Sequence, residues 1–427
     1  MSKMSLWGAV SIAVGTMIGA SIFSVFGLGA RIAGPNLPFV FVLSGGVALL
    51  VAYSYAHLGS KIVSNAGPIE FIIRGMGDGV VTGALSVLMW LTYVVSIALF
   101  AKGFAGYVLP LLHLSGTGFH TALIEAVVIA GFVVLNLLGT GAVGRTEIFI
   151  VGVKLLVLGL FVALGLWSIR IARITPAFGA AHTMGTLNAT AVFFLSYMGF
   201  GLITNASENI DHAEKNVPRA IYLSILIVTV IYVSVTVVAV GNLPLPRLID
   251  AQDYALAEAA KPFLGSAGYL LVSLGALFSI ASALNATLYG GANIAYALAK
   301  EGELPEFFER KTWFQAPEGL YITGVLGLGF AIAFNLNGIA SIASAVFMVV
   351  YLFVLLSHLR LADEVGGHRA IIGLSLVTVA VVFVLLMRYQ WQTDRAAFYA
   401  TWGTLAGSVV IETIYRGITQ RVLVARA

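Results

Sequence analysis

The chain has 427 residues, of which 59% are hydrophobic and only 10% charged; soluble domains carry near 25% charged residues, so this is a polytopic membrane protein. The absence of cysteine excludes disulfides, thiolate metal sites and a cysteine nucleophile. The net charge of +4 is spread over short loops, which gives no basic patch for nucleic acid.

The first apolar segment follows Met1–Ser2–Lys3–Met4–Ser5–Leu6–Trp7 without a small-residue cleavage site, so it reads as a retained span. A span needs roughly 20 mostly apolar residues. Twelve candidates follow in order: 6–32, 37–58, 80–112, 121–139, 147–169, 187–206, 219–241, 265–299, 319–335, 338–359, 370–389 and 397–415. The third and eighth are long enough to tilt. The ninth is short, and only Asn335–Leu336–Asn337–Gly338 divides it from the tenth. One set of loops and ends carries fourteen Lys and Arg residues; the opposite set carries six, Arg170, Arg173, Arg247, Lys261, Arg388 and Arg395. By the positive-inside rule both termini are expected to be cytoplasmic.

Span 1 contains Gly15–Thr16–Met17–Ile18–Gly19–Ala20–Ser21–Ile22–Phe23, and span 6 contains Leu195–Ser196–Tyr197–Met198–Gly199–Phe200–Gly201. These spans occupy corresponding positions in two five-helix halves, 1–5 and 6–10. Glycine-interrupted spans at matching positions point to an inverted-repeat transporter with a site at the midplane. Unwinding frees backbone N–H and C=O groups that must line a cavity, because hydrocarbon cannot satisfy them. Either motif alone reads more simply as helix packing, since Gly15 and Gly19 also form a small-xxx-small pair. Together, at related positions, they favour a site.

Span 3 carries Lys102 and span 4 carries Glu125, each toward the outer end, where a long basic chain is expected to snorkel to the interface. Span 5 carries Lys154 in an apolar run from Ile148 to Leu160 with no acidic residue. A lone ammonium at that depth costs at least a few kcal/mol unless it finds partners or gives up its proton. It is a candidate proton-coupling group; the plainer reading is a structural lysine satisfied by carbonyls. After span 6, Glu208 is a candidate for an inner gate or for simple capping. Phe194, Tyr197 and Phe200 read as packing aromatics, with Phe200 a candidate gate by its place in the break. His57 reads as interfacial. Two segments do not span: 250–260, a helical stretch on the outer side that is either loop packing or a lid, and 304–311 on the inner side. No Walker-type loop, metal box or hydrolase elbow is present, and neither cofactor nor enzymatic activity is expected.

The span 1 motif, and Ser207–Glu208–Asn209 with Lys215–Asn216–Val217–Pro218–Arg219–Ala220 after span 6, resemble the amino acid–polyamine–organocation (APC) superfamily. Ser64–Asn65–Ala66–Gly67–Pro68, Phe194 to Gly201 and Tyr289–Gly290–Gly291–Ala292–Asn293 are similar, more closely, to its archaeal proton-coupled amino acid transporters. The resemblance covers essentially the whole chain. It implies an all-α membrane protein with the LeuT-type 5+5 inverted repeat, 1–170 and 187–360, plus two peripheral helices over 369–416.

It also implies site roles. Backbone N–H groups of Gly19, Ala20 and Ser21 would take a substrate carboxylate, and carbonyls of Met17, Ile18, Leu195, Ser196 and Met198 its ammonium. Lys154 would replace the sodium ion of relatives, bridging the Gly15 carbonyl and the Ser279 hydroxyl. Two departures stand out: Gly201 lies where some exchangers carry glutamate, and Gly19–Ala20–Ser21 where many members have Gly–Ser–Gly. The expected function is proton-coupled, sodium-independent amino acid symport of broad specificity across the plasma membrane, by a monomer in the lipid bilayer. A sodium-independent exchanger and a transporter-like sensor are the alternatives.

Overall fold

In a computed structural model, residues 3–64, 67–137, 143–300, 304, 306–308, 310 and 318–419 are described. Met1, Ser2, Asn65 and Ala66, named above, lie outside them, as do Pro305, Glu309 and Lys311 of the 304–311 segment and the basic residues Arg421 and Arg426.

The chain is built almost wholly from helices, and no strand occurs among the described residues. The first apolar segment is divided into α1 (Leu6–Met17), α2 (Ala20–Phe23) and α3 (Phe26–Ala33). Ser5 starts α1 by accepting the Gly8 N–H at 3.2 Å, the usual service of an N-cap hydroxyl. Then come α4 (Leu37–Lys61), the short α5 (Pro68–Met76), α6 (Val80–Leu111), α7 (Gly118–Leu137) and α8 (Val143–Gly165). The second half holds α9 (Ala180–Phe193), α10 (Ala213–Asn242), α11 (Leu245–Asp250) and α12 (Ala255–Lys300). It continues with α13 (Glu318–Ala333), α14 (Leu336–Val365), α15 (Arg369–Thr393) and α16 (Arg395–Thr419).

A helix lies at each of the twelve expected segments. Nine helices among the described residues are long and apolar enough to cross a membrane; Leu6–Met17 and Glu318–Ala333 are apolar but shorter. The doubtful boundary between the ninth and tenth segments is real. Asn335 caps α14 by accepting the Gly338 N–H at 2.8 Å, and α13 ends at Ala333. Exposed apolar side chains such as Val127, Val134 and Val384 on α7 and α15 face outward, as lipid-facing surfaces must.

The break in the first segment sits at the centre of the packing. α1 lies against α10, α8 and a 16-residue 3-10 helix, Phe194–Asn209, that continues α9. On the side of the chain terminus, Met4 and Ile210 form a short backbone pair, Met4 N–H to the Asn209 carbonyl at 2.7 Å and Asp211 N–H to the Met4 carbonyl at 2.9 Å.

On the opposite side, the expected 250–260 helix is three pieces. α11 ends at Asp250, a 3-10 turn covers Gln252–Tyr254, and α12 begins at Ala255 and kinks at Gly265, where φ is +63°. The turn is pressed onto the helices below it. A Cβ on Gly27 of α3 would stand 2.3 Å from the Gln252 carbonyl oxygen, and one on Gly106 of α6 would stand 2.5 Å from Asp253 Cβ. Of the two readings of 250–260, this close seating is what a packed loop requires.

Candidate substrate and coupling site

The first break is two residues wide. Ile18 leaves the helical region at φ −80°, ψ 82°, and Gly19 follows at φ −135°, ψ −141°. A break of this kind strands carbonyls at the end of α1 and N–H groups at the start of α2. The stranded groups are answered one by one. Lys154 Nζ donates to the Gly15 carbonyl at 2.5 Å and to the Ile18 carbonyl at 3.0 Å. Ser279 Oγ donates to the same Ile18 carbonyl at 2.9 Å. The three segments α1, α8 and α12 therefore meet at two carbonyl oxygens. Lys154 is 2% exposed. A buried ammonium is tolerable here because oxygen acceptors replace its water.

A fourth helix reaches the same break. Tyr232 of α10 donates its hydroxyl to the Met17 carbonyl at 2.5 Å, with the Ser196 carbonyl 3.3 Å from the same oxygen. Ser21 Oγ lies 3.3 Å from the Tyr232 hydroxyl and 3.3 Å from the Met17 carbonyl. One phenol thus links the break in the first segment to the 3-10 segment. Sequence reasoning missed it, although a tyrosine inside the apolar run of α10 needs a partner for its hydroxyl.

The second break differs from the expectation of an unwound gap. Phe194–Asn209 winds as a 3-10 helix, whose i→i+3 bonds keep most backbone groups satisfied. Runs beyond three or four residues are uncommon in this geometry. Aromatic packing supports this one: Phe200 lies edge-on to Tyr55 at 5.3 Å and stacks on Tyr351 at 5.7 Å, and Phe194 meets Tyr351 at 5.8 Å. The Tyr351 hydroxyl reaches the Met198 carbonyl at 3.4 Å.

Between the two breaks lies a cavity of about 120 Å³. Met17, Gly19, Ala20, Ser21, Leu195 and Met198, among the candidate substrate-binding residues, line it. Ile18, Ser196 and Phe200 do not. The Ile18 carbonyl is already held by Lys154 and Ser279, and the Ser196 carbonyl faces Tyr232. Phe200 is fully buried behind the tyrosines, so the wall is formed by Tyr55 and Tyr351 and not by the expected gate. The Gly19 N–H is likewise engaged, donating to the Met17 carbonyl at 3.0 Å. Opposite the breaks, Met89, Phe100 and Phe347 make the wall apolar, while Asn205 adds an amide. Among the described residues, no carboxylate, amine, guanidinium or imidazole belongs to the lining.

Lys102 and Glu125 depart from the interfacial expectation. Lys102 does not snorkel: its Nζ lies 2.9 Å from Oε1 of Glu125, whose side chain is fully buried, so the pair ties α6 to α7. Burying one charge is costly unless the other accompanies it, which is why both point inward. Glu208 is exposed. The buried contact beside it belongs to Ser207, whose Oγ accepts the Ser64 N–H at 3.0 Å and donates to the Ser64 carbonyl at 3.1 Å. His57 stacks on His358 at 5.5 Å, joining α4 to α14.

Comparison with known proteins agrees with this architecture. Residues 4–412 match the family model described as amino acid permease. The chain belongs to the amino acid permease family. It is 60% identical over 419 residues to an uncharacterized protein of Methanocaldococcus jannaschii, covering 98% of this chain and 96% of the relative. It is 34% identical to the inner membrane transport protein YbaT of Escherichia coli, covering 97% of this chain and 96% of the relative. The branched-chain amino acid permease BcaP of Bacillus subtilis is 26% identical, covering 69% of this chain and 66% of the relative. Membership in this family, within the APC superfamily, makes the chain a multi-pass membrane transporter of amino acids rather than an enzyme.

Proposed function

We propose that this permease is a proton-coupled, sodium-independent amino acid symporter of the plasma membrane, working as a single chain by alternating access. Its termini would be cytoplasmic, its core would be a LeuT-type 5+5 repeat, and α15 and α16 would be peripheral. The observation that carries the reading is the ammonium of Lys154 on two carbonyls released by the first break. An ammonium among oxygen acceptors does the work of a bound cation, and a lysine, unlike an arginine, can release its charge as a proton. Protonated, Lys154 would tie α8 to α1. Deprotonated, it would offer fewer donors to the Gly15 and Ile18 carbonyls, loosening α1 from α8 and α12. Proton movement and helix movement would thereby be linked.

The substrate would lie in the cavity with its carboxylate toward the N–H groups of Ala20 and Ser21 at the start of α2, where helix termini favour negative charge. Its ammonium would face the carbonyls at Leu195 and Met198 in the 3-10 segment. Backbone recognition of these two groups is common to all α-amino acids, which supports broad specificity. The apolar wall at Met89, Phe100 and Phe347 would receive the side chain.

The test is uptake of labelled alanine into sodium-free proteoliposomes. An inward proton gradient should drive accumulation, and adding sodium without the gradient should not. Uptake that requires sodium and ignores pH would overturn the proposal.

A further inference from the structure

Three of the six basic residues on the face away from the chain termini converge on one pocket. Arg170 and Arg173, in the loop after α8, and Arg247 of α11 line a cavity of about 390 Å³, together with Ser168, Asn242 and Pro262. Among the described residues, no acidic side chain lines it. None of the three arginines forms an ion pair among the described residues. Like charges gathered without a counter-charge are unfavourable unless an anion is supplied from elsewhere.

The pocket is built, not a chance gathering of mobile side chains. The Arg170 N–H donates to the Gly241 carbonyl at 3.0 Å. Arg173 Nη1 donates to the Asn242 carbonyl at 2.5 Å, and Asn242 Nδ2 donates back to the Gly165 carbonyl at 2.9 Å. These bonds fix the arginine loop on the end of α10, yet leave Arg173 further N–H donors and leave Arg170 and Arg247 exposed. The flanks of the same loop present Trp167 (92% exposed), Ile171 (76%) and Phe178 (87%). Large apolar and aromatic groups at the end of a membrane-crossing helix mark the headgroup level.

We infer that Arg170, Arg173 and Arg247 form a binding site for the phosphate of an anionic membrane lipid in the leaflet opposite the chain termini. Guanidinium groups match phosphate oxygens bidentately. The neighbouring Trp167 and Ile171 are placed to lie along the acyl chains while the phosphate enters the pocket. The absence of a carboxylate in the lining disfavours zwitterionic headgroups, whose ammonium would find no partner there. The site is separate from the substrate cavity, and its occupancy is measurable without transport.

The test uses the delipidated full-length protein in detergent and counts bound lipid by native mass spectrometry. Dioleoyl-phosphatidylglycerol should bind in preference to dioleoyl-phosphatidylcholine. Arg170→Gln combined with Arg247→Gln should weaken phosphatidylglycerol binding about thirtyfold, since each of the two basic groups near a headgroup contributes on the order of 1 kcal/mol. Arg388→Gln, on the same face outside the pocket, should leave binding unchanged, and an unaltered melting temperature in lipid-free detergent would show that the variants fold. Equal binding of the two lipids, or unchanged phosphatidylglycerol binding in the double variant, overturns the inference. Full displacement of the lipid by millimolar inorganic phosphate also overturns it, because the site would then be one for free anions.

Discussion

The two breaks lie side by side across the cavity and are held together in opposite ways. At Ile18–Gly19 the helix stops outright, and the released carbonyls are met by an ammonium, a serine hydroxyl and a phenol from three other helices. At Phe194–Asn209 the backbone only tightens into 3-10 turns, and aromatic rings from α4 and α14 support it. The difference follows from what each break releases. An abrupt stop leaves polar groups that need donors of fixed geometry, each about 1–3 kcal/mol to orphan when buried. A 3-10 run keeps its bonds and needs only packing, which is non-directional and more tolerant of change. The first break should therefore be sensitive to single polar atoms, and the second to volume.

The largest effect is expected at Gly19. An added Cβ there would lie 3.3 Å from a Phe100 ring carbon and 3.6 Å from Ala283 Cβ, tight but not prohibitive. Gly19→Val should fold while its branched side chain occupies the cavity, abolishing amino acid binding measured by isothermal titration. Wild-type affinity in a well-folded variant would place the substrate elsewhere.

Lys154→Ala comes next. Removing the ammonium orphans the Gly15 carbonyl, at about 1–3 kcal/mol of stability, and should stop uptake driven by a proton gradient. Lys154→Arg should also lose the response to pH, because guanidinium stays charged at every accessible pH. A wild-type pH profile of uptake in either variant would make Lys154 purely structural.

Tyr232→Phe should cost about 1 kcal/mol or somewhat more by the loss of one buried hydrogen bond. It should also raise the KM for uptake several-fold, since the hydroxyl serves both breaks. Denaturation in detergent and uptake kinetics read the two effects separately.

Tyr351→Phe should do least. Its hydroxyl bond to the Met198 carbonyl is long, 3.4 Å, and the ring stacking on Phe200 survives the change. Melting temperature and KM near wild type are expected. An effect as large as that of Tyr232→Phe would erase the distinction between a polar-held and a packing-held break.

The position of both breaks was legible because glycine clusters fall at corresponding places in the two five-helix halves, where packing alone would not put both. Lys154 was legible because a lone charge in such a run demands partners. The partners themselves were only partly so. Gly15 and Ser279 entered through a family resemblance, whereas Tyr232, Tyr55 and Tyr351 entered through neither pattern nor resemblance. Each is one aromatic among many in an apolar helix, and which aromatic faces a break depends on helix rotation. Lys102 and Glu125 show the same limit. Each looked like an interfacial residue taken singly, and only the packing of α6 on α7 makes them a buried pair.

The amino-acid sequence by itself determined that the chain crosses a membrane through many helices, where those helices fall, and that the first and sixth segments are interrupted. Those properties depend on local composition: a hydrocarbon solvent demands apolar, internally bonded segments, and glycine marks where that rule is relaxed. The tertiary structure decided which carbonyls are already occupied, that the second break is wound rather than open, and that Arg247 shares a pocket with Arg170 and Arg173. Those facts depend on the register and rotation of helices against one another, set by packing over the whole molecule, which no local stretch of residues encodes.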